Sequence, residues 1–196
     1  VLTESSDVSG GTPTWGTVYS LPNVTTLGFN SAASITTLYA DDGPRFAADT
    51  VGDMSFTLTL ADISPDDEAR LLGQTRTNGV TIRNVTDVSP YVAIGFKTLR
   101  SGKDGANAVY SYFWFHKVQF QKPNLDQNTK GASIEFTLPV LEGRVVALIA
   151  NNQYMVHART DDAAVSATTL TNWFNQPVVG AADLGALNAS IAKSST

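Results

Sequence analysis

The 196-residue sequence contains no cysteine and only two histidines. The absence of cysteine excludes disulfides, thiolate metal sites and cysteine nucleophiles together. Histidine is the usual general base near neutral pH, but neither His116 nor His157 has a second histidine, a glutamate at metal-ligand spacing or a Gly-x-Ser-x-Gly turn nearby. Both are interpreted as structural, and the sequence predicts no enzyme activity, no cofactor and no metal site.

The sequence also lacks long apolar runs and an excess of positive charge. No run approaches the roughly 20 residues that a membrane-spanning helix needs, and the first residues lack the basic flank and apolar core of a signal peptide. With 13 Lys and Arg against 18 Asp and Glu, the net charge of -5 argues against tight binding to a phosphate backbone. We therefore expect no membrane partner and only weak, non-specific contact with nucleic acid.

Two clusters of carboxylates are candidates for acid/base pairs. Asp41 and Asp42 are adjacent in a predicted loop, and such neighbours seldom converge across a cleft as a glycosidase pair must. That loop also lacks the alternating ligands of an EF-hand. The acidic residues 66–68 follow a predicted cap at Ser64, where they complement the helix dipole. Neither cluster is interpreted as catalytic.

The chain is instead rich in strand patterns. Alternating apolar and polar residues between Gly, Pro and Asn predict strands. These lie at residues 15–30 with a break near Pro22, and at 34–39, 54–60, 89–100, 108–121, 129–140, 145–149 and 154–159. Capping and stop signals predict two short helices, one from Ser64 to Gly73 and one from Thr160 to Asn172. The predicted fold class is an all-β sandwich or barrel with two short α-helices.

The length suits one domain, since no linker stands out. Residues 1–13 are predicted to be a flexible N-terminal arm, residues 14–176 the β-sandwich domain, and residues 177–196 a weakly patterned C-terminal tail. Residues 40–49 are predicted to be a loop, because the Gly43-Pro44 step disfavours regular pairing. Residues 101–105 are predicted to be a hairpin turn.

The predicted strand 108–121 is apolar on both faces at its centre. Tyr112 and Trp114 share one face, and Phe113 and Phe115 share the other. This is more apolar surface than one small sheet can cover, so a second sheet or another copy of the chain must cover it. The pattern favours a β-rich building block over a catalyst.

Three segments in a fixed order carry a family resemblance. They are Tyr-Ala-Asp-Asp-Gly-Pro at residues 39–44, Tyr-Val-Ala-Ile-Gly-Phe-Lys at 91–97 and Lys-Gly-Ala-Ser-Ile-Glu-Phe at 130–136. With them, over about residues 18–174, the chain resembles the major tail proteins, or tail tube proteins, of long-tailed bacteriophages (siphophages). None of these segments is a catalytic signature.

The resemblance implies a β-sandwich protomer that forms hexameric rings. The rings would stack into a tail tube whose inner sheets join into one ring-spanning β-barrel, a conduit for genome delivery into the host cell. It further implies a virion protein made in the host cytoplasm. The implied partners are the tape measure protein, the tail terminator and distal tail proteins, and duplex DNA in transit. A net negative charge fits such a conduit, because phosphate would be held weakly.

Seven residues are candidate contacts between copies in rings or stacks. They are Asp41, Asp42, Pro44, Arg45 and Phe46 in the predicted loop, and Phe113 and Phe115 on the second face of the aromatic strand. An ordinary surface loop explains the first five equally well. Two alternatives stay open: a related secretion-tube or tail-completion ring subunit, and a soluble ligand-binding β-sandwich that uses surface aromatics such as Trp15.

Overall fold

The computed structural model describes residues 1–9, 11–40, 43–100, 108–123, 138–180 and 183–184. In chain order its strands and helices are β1 Leu2–Ser6, β2 Thr14–Trp15, β3 Val24–Ala40, β4 Gly43–Leu60, α1 Pro65–Leu72, β5 Thr75–Thr77, β6 Val80–Ile82, β7 Tyr91–Arg100, β8 Val109–Phe120, β9 Val140–Val145, β10 Met155–Arg159 and α2 Ala167–Asn172. Strands dominate and both helices are short, which confirms the all-β fold class for the described part of the chain.

The chain divides into two compact units. Unit 1 comprises Val1–Leu21, Pro90–Val118 and Val146–Thr196, and unit 2 comprises Pro22–Ser89 and Gln119–Val145. The chain therefore passes between the units four times. The single domain predicted for residues 14–176 gave no hint of this division, because interleaved segments leave no single linker in the sequence.

Unit 1 contains an antiparallel sheet in the order β2, β1, β7, β8 and β10. Its core is built around Ala93, Trp114, Trp173 and Val178. The second helix begins later than predicted, at Ala167, where the Ser166 hydroxyl accepts the Thr169 amide at 3.1 Å. The sequence patterns at 145–149 and 154–159 predict two strands that pair with each other, but strand β10 pairs with β8 instead, so this predicted pairing is wrong.

The two ends of the predicted domain need correction. Leu2 and Thr3 are buried, and β1 pairs with β7 through Leu2 and Ile94. The prediction of a flexible arm is therefore wrong for β1, because the partner strand lies some ninety residues away and local composition does not reveal it. At the other end Val178 belongs to the unit 1 core, so the packed structure continues past the predicted boundary at residue 176.

Unit 2 contains a sheet in the order β9, β4 and β3, with the last residues of β8 beside β9. Its buried residues include Phe56, Leu58 and Leu60. Helix α1 is confirmed: the Ser64 hydroxyl accepts the Asp67 amide at 3.1 Å, and the helix ends at Gly73. Strand β9 begins at Val140, the residue at which the predicted strand 129–140 ends. The predicted strand at 129–137 and the turn at 101–105 lie outside the described residues.

Candidate assembly site

Strands β3 and β4 form a hairpin that is longer than the sheet that carries it. The two strands pair from Val24–Leu60 to Ala40–Gly43, whereas β9 pairs with β4 only over Met54–Thr59. Among the described residues, the segments 33–40 and 43–51 therefore pair only with each other. We call these two segments the ribbon.

The ribbon replaces the loop predicted at residues 40–49. Residues 43–49 are paired strand, opposite residues 35–40. The Gly43-Pro44 step is accommodated next to a register shift between Leu38 and Tyr39. A proline is tolerated in a two-stranded ribbon because its missing N–H can point away from the partner strand. The loop prediction is wrong because the Gly43-Pro44 step, a single local signal, does not prevent the pairing of the long strands around it.

A bulge marks the base of the ribbon. Between the pairs Ser31–Met54 and Ala33–Val51, strand β4 has two residues opposite the single residue Ala32 of β3. A Cβ atom added to Gly52 would overlap the carbonyl oxygen of Ala32. Only glycine fits this approach, and a bulge bends its strand and increases the local twist. The ribbon therefore leaves the sheet at Gly52 with a change of direction.

The ribbon exposes large apolar side chains. Ile35 and Tyr39 are each 71% exposed and Phe46 is 70% exposed. Directly opposite residues lie on the same face, and the pairing places Ile35 and Tyr39 on one face and Phe46 on the other. A two-stranded hairpin is marginally stable in water at best. An isolated ribbon with apolar groups on both faces gains stability when a partner covers it.

The edge of β3 is also unprotected. Among the described residues β3 pairs with β4 alone. Its 17 residues include no charged residue and no proline. Natural edge strands usually carry a lysine, a proline or another inward charge, which prevents pairing with other chains. Strand β3 has none of these, so its outer edge, which no other described strand occupies, is open to pairing.

The seven predicted contact residues fall into three groups. Pro44, Arg45 and Phe46 lie in β4 on the ribbon, and Asp41 and Asp42 lie outside the described residues. The ribbon residues Ile35 and Tyr39 were missed. The signal that could have found them is the uncharged run over residues 24–40.

The other two predicted contacts lie on β8 in unit 1. Phe115 is only 2% exposed within a single chain, so its assignment as a contact between copies is wrong. Phe113 is half-buried, and its ring stacks on Phe96 at 5.1 Å and on His157 at 5.2 Å between centroids. Neighbouring rings of the same sheet, which sequence alone cannot place, contribute this cover.

The opposite face of β8 is covered by the C-terminal part of the same chain. The indole nitrogen of Trp114 donates a hydrogen bond to the carbonyl oxygen of Trp173 at 2.8 Å. The ring of Phe174 lies 6.1 Å from that of Trp114. On this face the chain itself supplies the cover that the sequence assigned to a second sheet or copy.

His116 has the structural role that the sequence predicts. It is fully buried, and its Nε2 donates to the carbonyl oxygen of Val178 at 2.8 Å. Burial lowers the pKa of His116, although the Val178 hydrogen bond and the charge of Asp183 act in the opposite direction. The neutral ring thereby ties residue 178 to β8.

A buried ion pair fixes the N-terminal segment of unit 1. The Lys117 ammonium lies 3.1 Å from Asp7 Oδ2, with side-chain exposures of 8% and 0%. The Ile149 amide donates to the same oxygen at 2.6 Å. Burial by itself raises the pKa of Asp7, but the Ile149 amide and the Lys117 charge outweigh it, so the pKa is lowered. Sequence patterns do not reveal this pair, because its members are 110 positions apart.

The remaining candidate side chains also have structural partners. Asp66 pairs with Arg76 at 2.8 Å, and Glu68 pairs with Arg83 at 2.7 Å. Trp15 packs against the unit 1 core, with its ring 6.0 Å from that of His116. Trp15 is therefore not the free aromatic platform that a ligand-binding sandwich would use.

The described residues contain no group of three or more His, Cys, Asp or Glu side chains placed to hold a metal ion. No helix in that part of the chain is both long and apolar enough to cross a membrane.

Comparison with known proteins adds no assignment. No protein-family model matches the chain, and no curated protein matches its sequence.

Proposed function

We propose that this protein is a self-assembling tube subunit whose copies form stacked, hexameric rings, the tail tube of a long-tailed bacteriophage. The observation that carries the proposal is the unprotected edge of β3 together with the ribbon that extends it. The ring symmetry and the phage setting come from the sequence resemblance.

The β3 edge supplies the first contact. A strand of a neighbouring copy that pairs with this edge forms backbone hydrogen bonds with the part of β3 that precedes the ribbon, residues 24–32. If that strand comes from a different surface of the neighbour, the contact is heterologous, and repeated heterologous contacts form a ring when the rotation between successive copies closes. A closed ring leaves no exposed sheet edge.

The ribbon supplies the second contact. Burying Ile35, Tyr39 and Phe46 against another copy stabilises each contact by several kcal/mol, at roughly 1.5–3 kcal/mol for a fully buried large apolar side chain. Because the ribbon bends away from the sheet at Gly52, it can reach a copy other than the one that pairs with β3. This division of roles suits a structure that extends in two directions, around a ring and along a stack.

The charge of the chain suits a conduit. The net charge of -5 disfavours retention of a polyanion, so duplex DNA passes with weak, non-specific contact. On this proposal the tape measure protein fills the channel first, and tail terminator and distal tail proteins close the two ends. The protein is made in the host cytoplasm and resides in the virion.

The test is assembly of the purified chain and of two lysine variants. Ile35→Lys and Phe46→Lys place a charge on each face of the ribbon, at side chains so exposed that a single folded chain tolerates them. The matched control is Val85→Lys, since Val85 is 99% exposed and lies outside the ribbon. Negative-stain microscopy and sedimentation report the particles, and far-UV circular dichroism reports folding.

We expect long hollow tubes from the wild type and from Val85→Lys. The double variant Ile35→Lys/Phe46→Lys should remain a folded, slowly sedimenting species. A wild-type chain that stays monomeric at every concentration contradicts the proposal. Tubes of normal length from the double variant would show that the ribbon does not contribute to assembly.

A second construction removes the ribbon without breaking the sheet. Ala33 and Val51 are paired, so residues 34–50 can be replaced by an Asn-Gly turn between them. The shortened chain should unfold at a urea concentration close to that of the wild type and should fail to form tubes. Loss of folding together with assembly would show that the ribbon stabilises the protomer itself.

A further inference from the structure

We propose that Asn78 is a site of self-modification, where the folded chain converts the side-chain amide into a mixture of aspartate and isoaspartate through a succinimide. The site is the two-residue turn Asn78-Gly79 between β5 and β6. The reaction needs only the folded chain and water, so it is independent of the proposed function.

The residues of this turn have the chemistry that the reaction requires. Asn78 begins the one Asn-Gly step in the sequence. Glycine has no side chain to shield its amide nitrogen, which is the nucleophile. The asparagine and the glycine are both exposed at the tip of the hairpin, so water reaches them. Asn23 and Asn152 are also exposed and also have positive φ, but Val24 and Gln153 follow them.

The backbone of the turn places the reacting atoms one peptide flip apart. φ is 53° at Asn78 and 82° at Gly79, and Thr77 pairs with Val80, so the turn is of type I′. In a type II′ turn, the other common two-residue hairpin turn, the first residue keeps φ at about +60° and its ψ moves to about −120°. That ψ turns the Gly79 nitrogen towards the Asn78 side chain, as the five-membered succinimide ring requires. Glycine accepts the φ of either turn type, so the flip leaves the strands paired.

The reaction balances with water as its co-reactant. The Gly79 amide nitrogen forms a bond to Cγ of Asn78 and loses its proton. The Cγ–Nδ2 bond breaks, and Nδ2 leaves as ammonia. Water then opens the cyclic imide. Hydrolysis at Cγ gives aspartate, whereas hydrolysis at the main-chain carbonyl carbon gives isoaspartate, in which the chain continues through Cγ. Either product adds one negative charge to the hairpin tip.

The two products differ in their effect on the hairpin. Aspartate fits the turn, since Asp-Gly is also a favoured type I′ pair. Isoaspartate lengthens the main chain by one methylene, which disturbs the pairing of Thr77 with Val80. The β5-β6 sheet has two strands of three residues each, and such a sheet is marginally stable by itself. The ion pair of Arg76 with the exposed Asp66 of α1 adds at most about 1 kcal/mol. Isoaspartate should therefore loosen the hairpin while the core of unit 2 stays folded.

The experiment incubates the folded chain in mildly alkaline water enriched in heavy oxygen, so that each ring opening puts a heavy atom into the new carboxylate. After return to ordinary water, trypsin releases residues 77–83 as one peptide, because Arg76 and Arg83 bound it. Tandem mass spectrometry locates the label, and an isoaspartyl methyltransferase measures the isoaspartate share. The matched control is Asn78→Gly, since Gly-Gly keeps a hairpin turn and has no side-chain amide.

We expect label at Asn78 to appear at least about tenfold faster than at Asn23 or Asn152, because the glycine nitrogen is unhindered. Urea below the unfolding transition should not change this rate, since a turn flip exposes no new surface. A rate that rises with urea as steeply as global unfolding would overturn the inference, because the reaction would then need an unfolded chain. So would an unlabelled peptide 77–83 from the folded chain when the free synthetic peptide is labelled, or equal label in Asn78→Gly.

Limited trypsin treatment of the aged, native chain tests the effect of isoaspartate. Cleavage after Arg76 should be at least about tenfold faster in the isoaspartate form than in Asn78→Asp, because a loosened hairpin opens more often. Equal cleavage rates would show that the turn accommodates the extra methylene and would overturn the predicted loosening.

Discussion

The indole N–H of Trp114 donates to the main-chain carbonyl of Trp173 at 2.8 Å, although the two residues are 59 positions apart. Both rings are buried in the same core of unit 1. The Trp173 indole nitrogen is also buried, yet it has no hydrogen-bond partner among the described residues. The two tryptophans share one cluster but differ in whether the indole N–H is hydrogen-bonded, so comparing them measures the contribution of that hydrogen bond.

The first prediction compares Trp114→Phe with Trp173→Phe. Both changes remove similar ring volume, but only Trp114→Phe leaves a buried carbonyl without its donor. An unsatisfied buried group costs about 1–3 kcal/mol, and Trp173→Phe removes one such group, the Trp173 N–H. Trp114→Phe should therefore lower the free energy of unfolding by at least about 1–3 kcal/mol more than Trp173→Phe does. Urea denaturation followed by circular dichroism measures both values. Equal losses would mean that the hydrogen bond contributes nothing beyond packing.

The elements that sequence predicted well are those with local signals. Helix α1 is specified by Ser64 at its start and Gly73 at its end, with the eight helical residues between them. Strands β7 and β8 are specified by their own apolar runs. Strand β1 was missed because its signal is a partner, Ile94, far along the chain. Non-local pairing is the component of a β fold that single-residue patterns do not encode.

The candidate site was predicted only in part, for a similar reason. The sequence predicts Pro44, Arg45 and Phe46 in a loop, whereas the structure has them on a paired ribbon. Phe115 was selected because its strand is apolar on both faces, and the protomer buries it. A sequence shows how many apolar side chains a strand has, but the fold determines which of these side chains stay exposed.

The second prediction concerns the buried pair of Asp7 and Lys117. Asp7→Asn leaves the Lys117 charge buried without a counter-ion, so the free energy of unfolding should fall by about 3–5 kcal/mol near neutral pH. The pKa of Asp7 is lowered from 3.8 in the folded chain. The stabilisation that ionised Asp7 provides is therefore complete above pH 3.8. It is lost as the pH falls from 3.8 towards the lower pKa that Asp7 has in the folded chain. Wild type and variant should converge in strong acid in urea titrations.

An exposed pair serves as the control for this prediction. Arg144 and Asp53 lie 2.7 Å apart, but both side chains are largely exposed. Asp53→Asn should therefore change the free energy of unfolding by at most about 1 kcal/mol. The double variant Asp7→Asn/Lys117→Met should recover part of the lost free energy of unfolding, because it also removes the buried Lys117 charge that has no counter-ion in Asp7→Asn. A loss from Asp7→Asn no larger than that from Asp53→Asn would contradict the role given to burial.

The third prediction concerns the buried histidine. The pKa of His116 is lowered below 6.5, chiefly by burial. As the pH falls through 6.5, His116 takes up a proton in the unfolded chain but not in the folded chain. The free energy of unfolding is therefore highest above pH 6.5 and declines below it. The slope is at most about 1.4 kcal/mol per pH unit for one proton. His116→Gln, which can still donate to Val178, should remove this slope in urea titrations. An unchanged slope would assign it to other groups.

The last prediction concerns a glycine that makes room for a ring. A Cβ atom added to Gly95 would lie 2.9 Å from three carbons of the Trp114 ring. Gly95→Ala should therefore lower the free energy of unfolding by about 1–3 kcal/mol, the usual cost of overpacking a core. The matched control is Gly43→Ala, where an added Cβ has no neighbour within 4 Å, and it should change little.

A double variant separates this clash from a general intolerance of alanine in β7. The Trp114 carbons close to Gly95 belong to the outer, benzene part of the indole. The smaller side chain of Trp114→Phe does not extend as far, so alanine at position 95 has more room. Gly95→Ala should then cost less in the Trp114→Phe background than in the wild type, because residues in direct contact are not additive. Strictly additive losses would show that the strain at Gly95 comes from the backbone and not from the tryptophan.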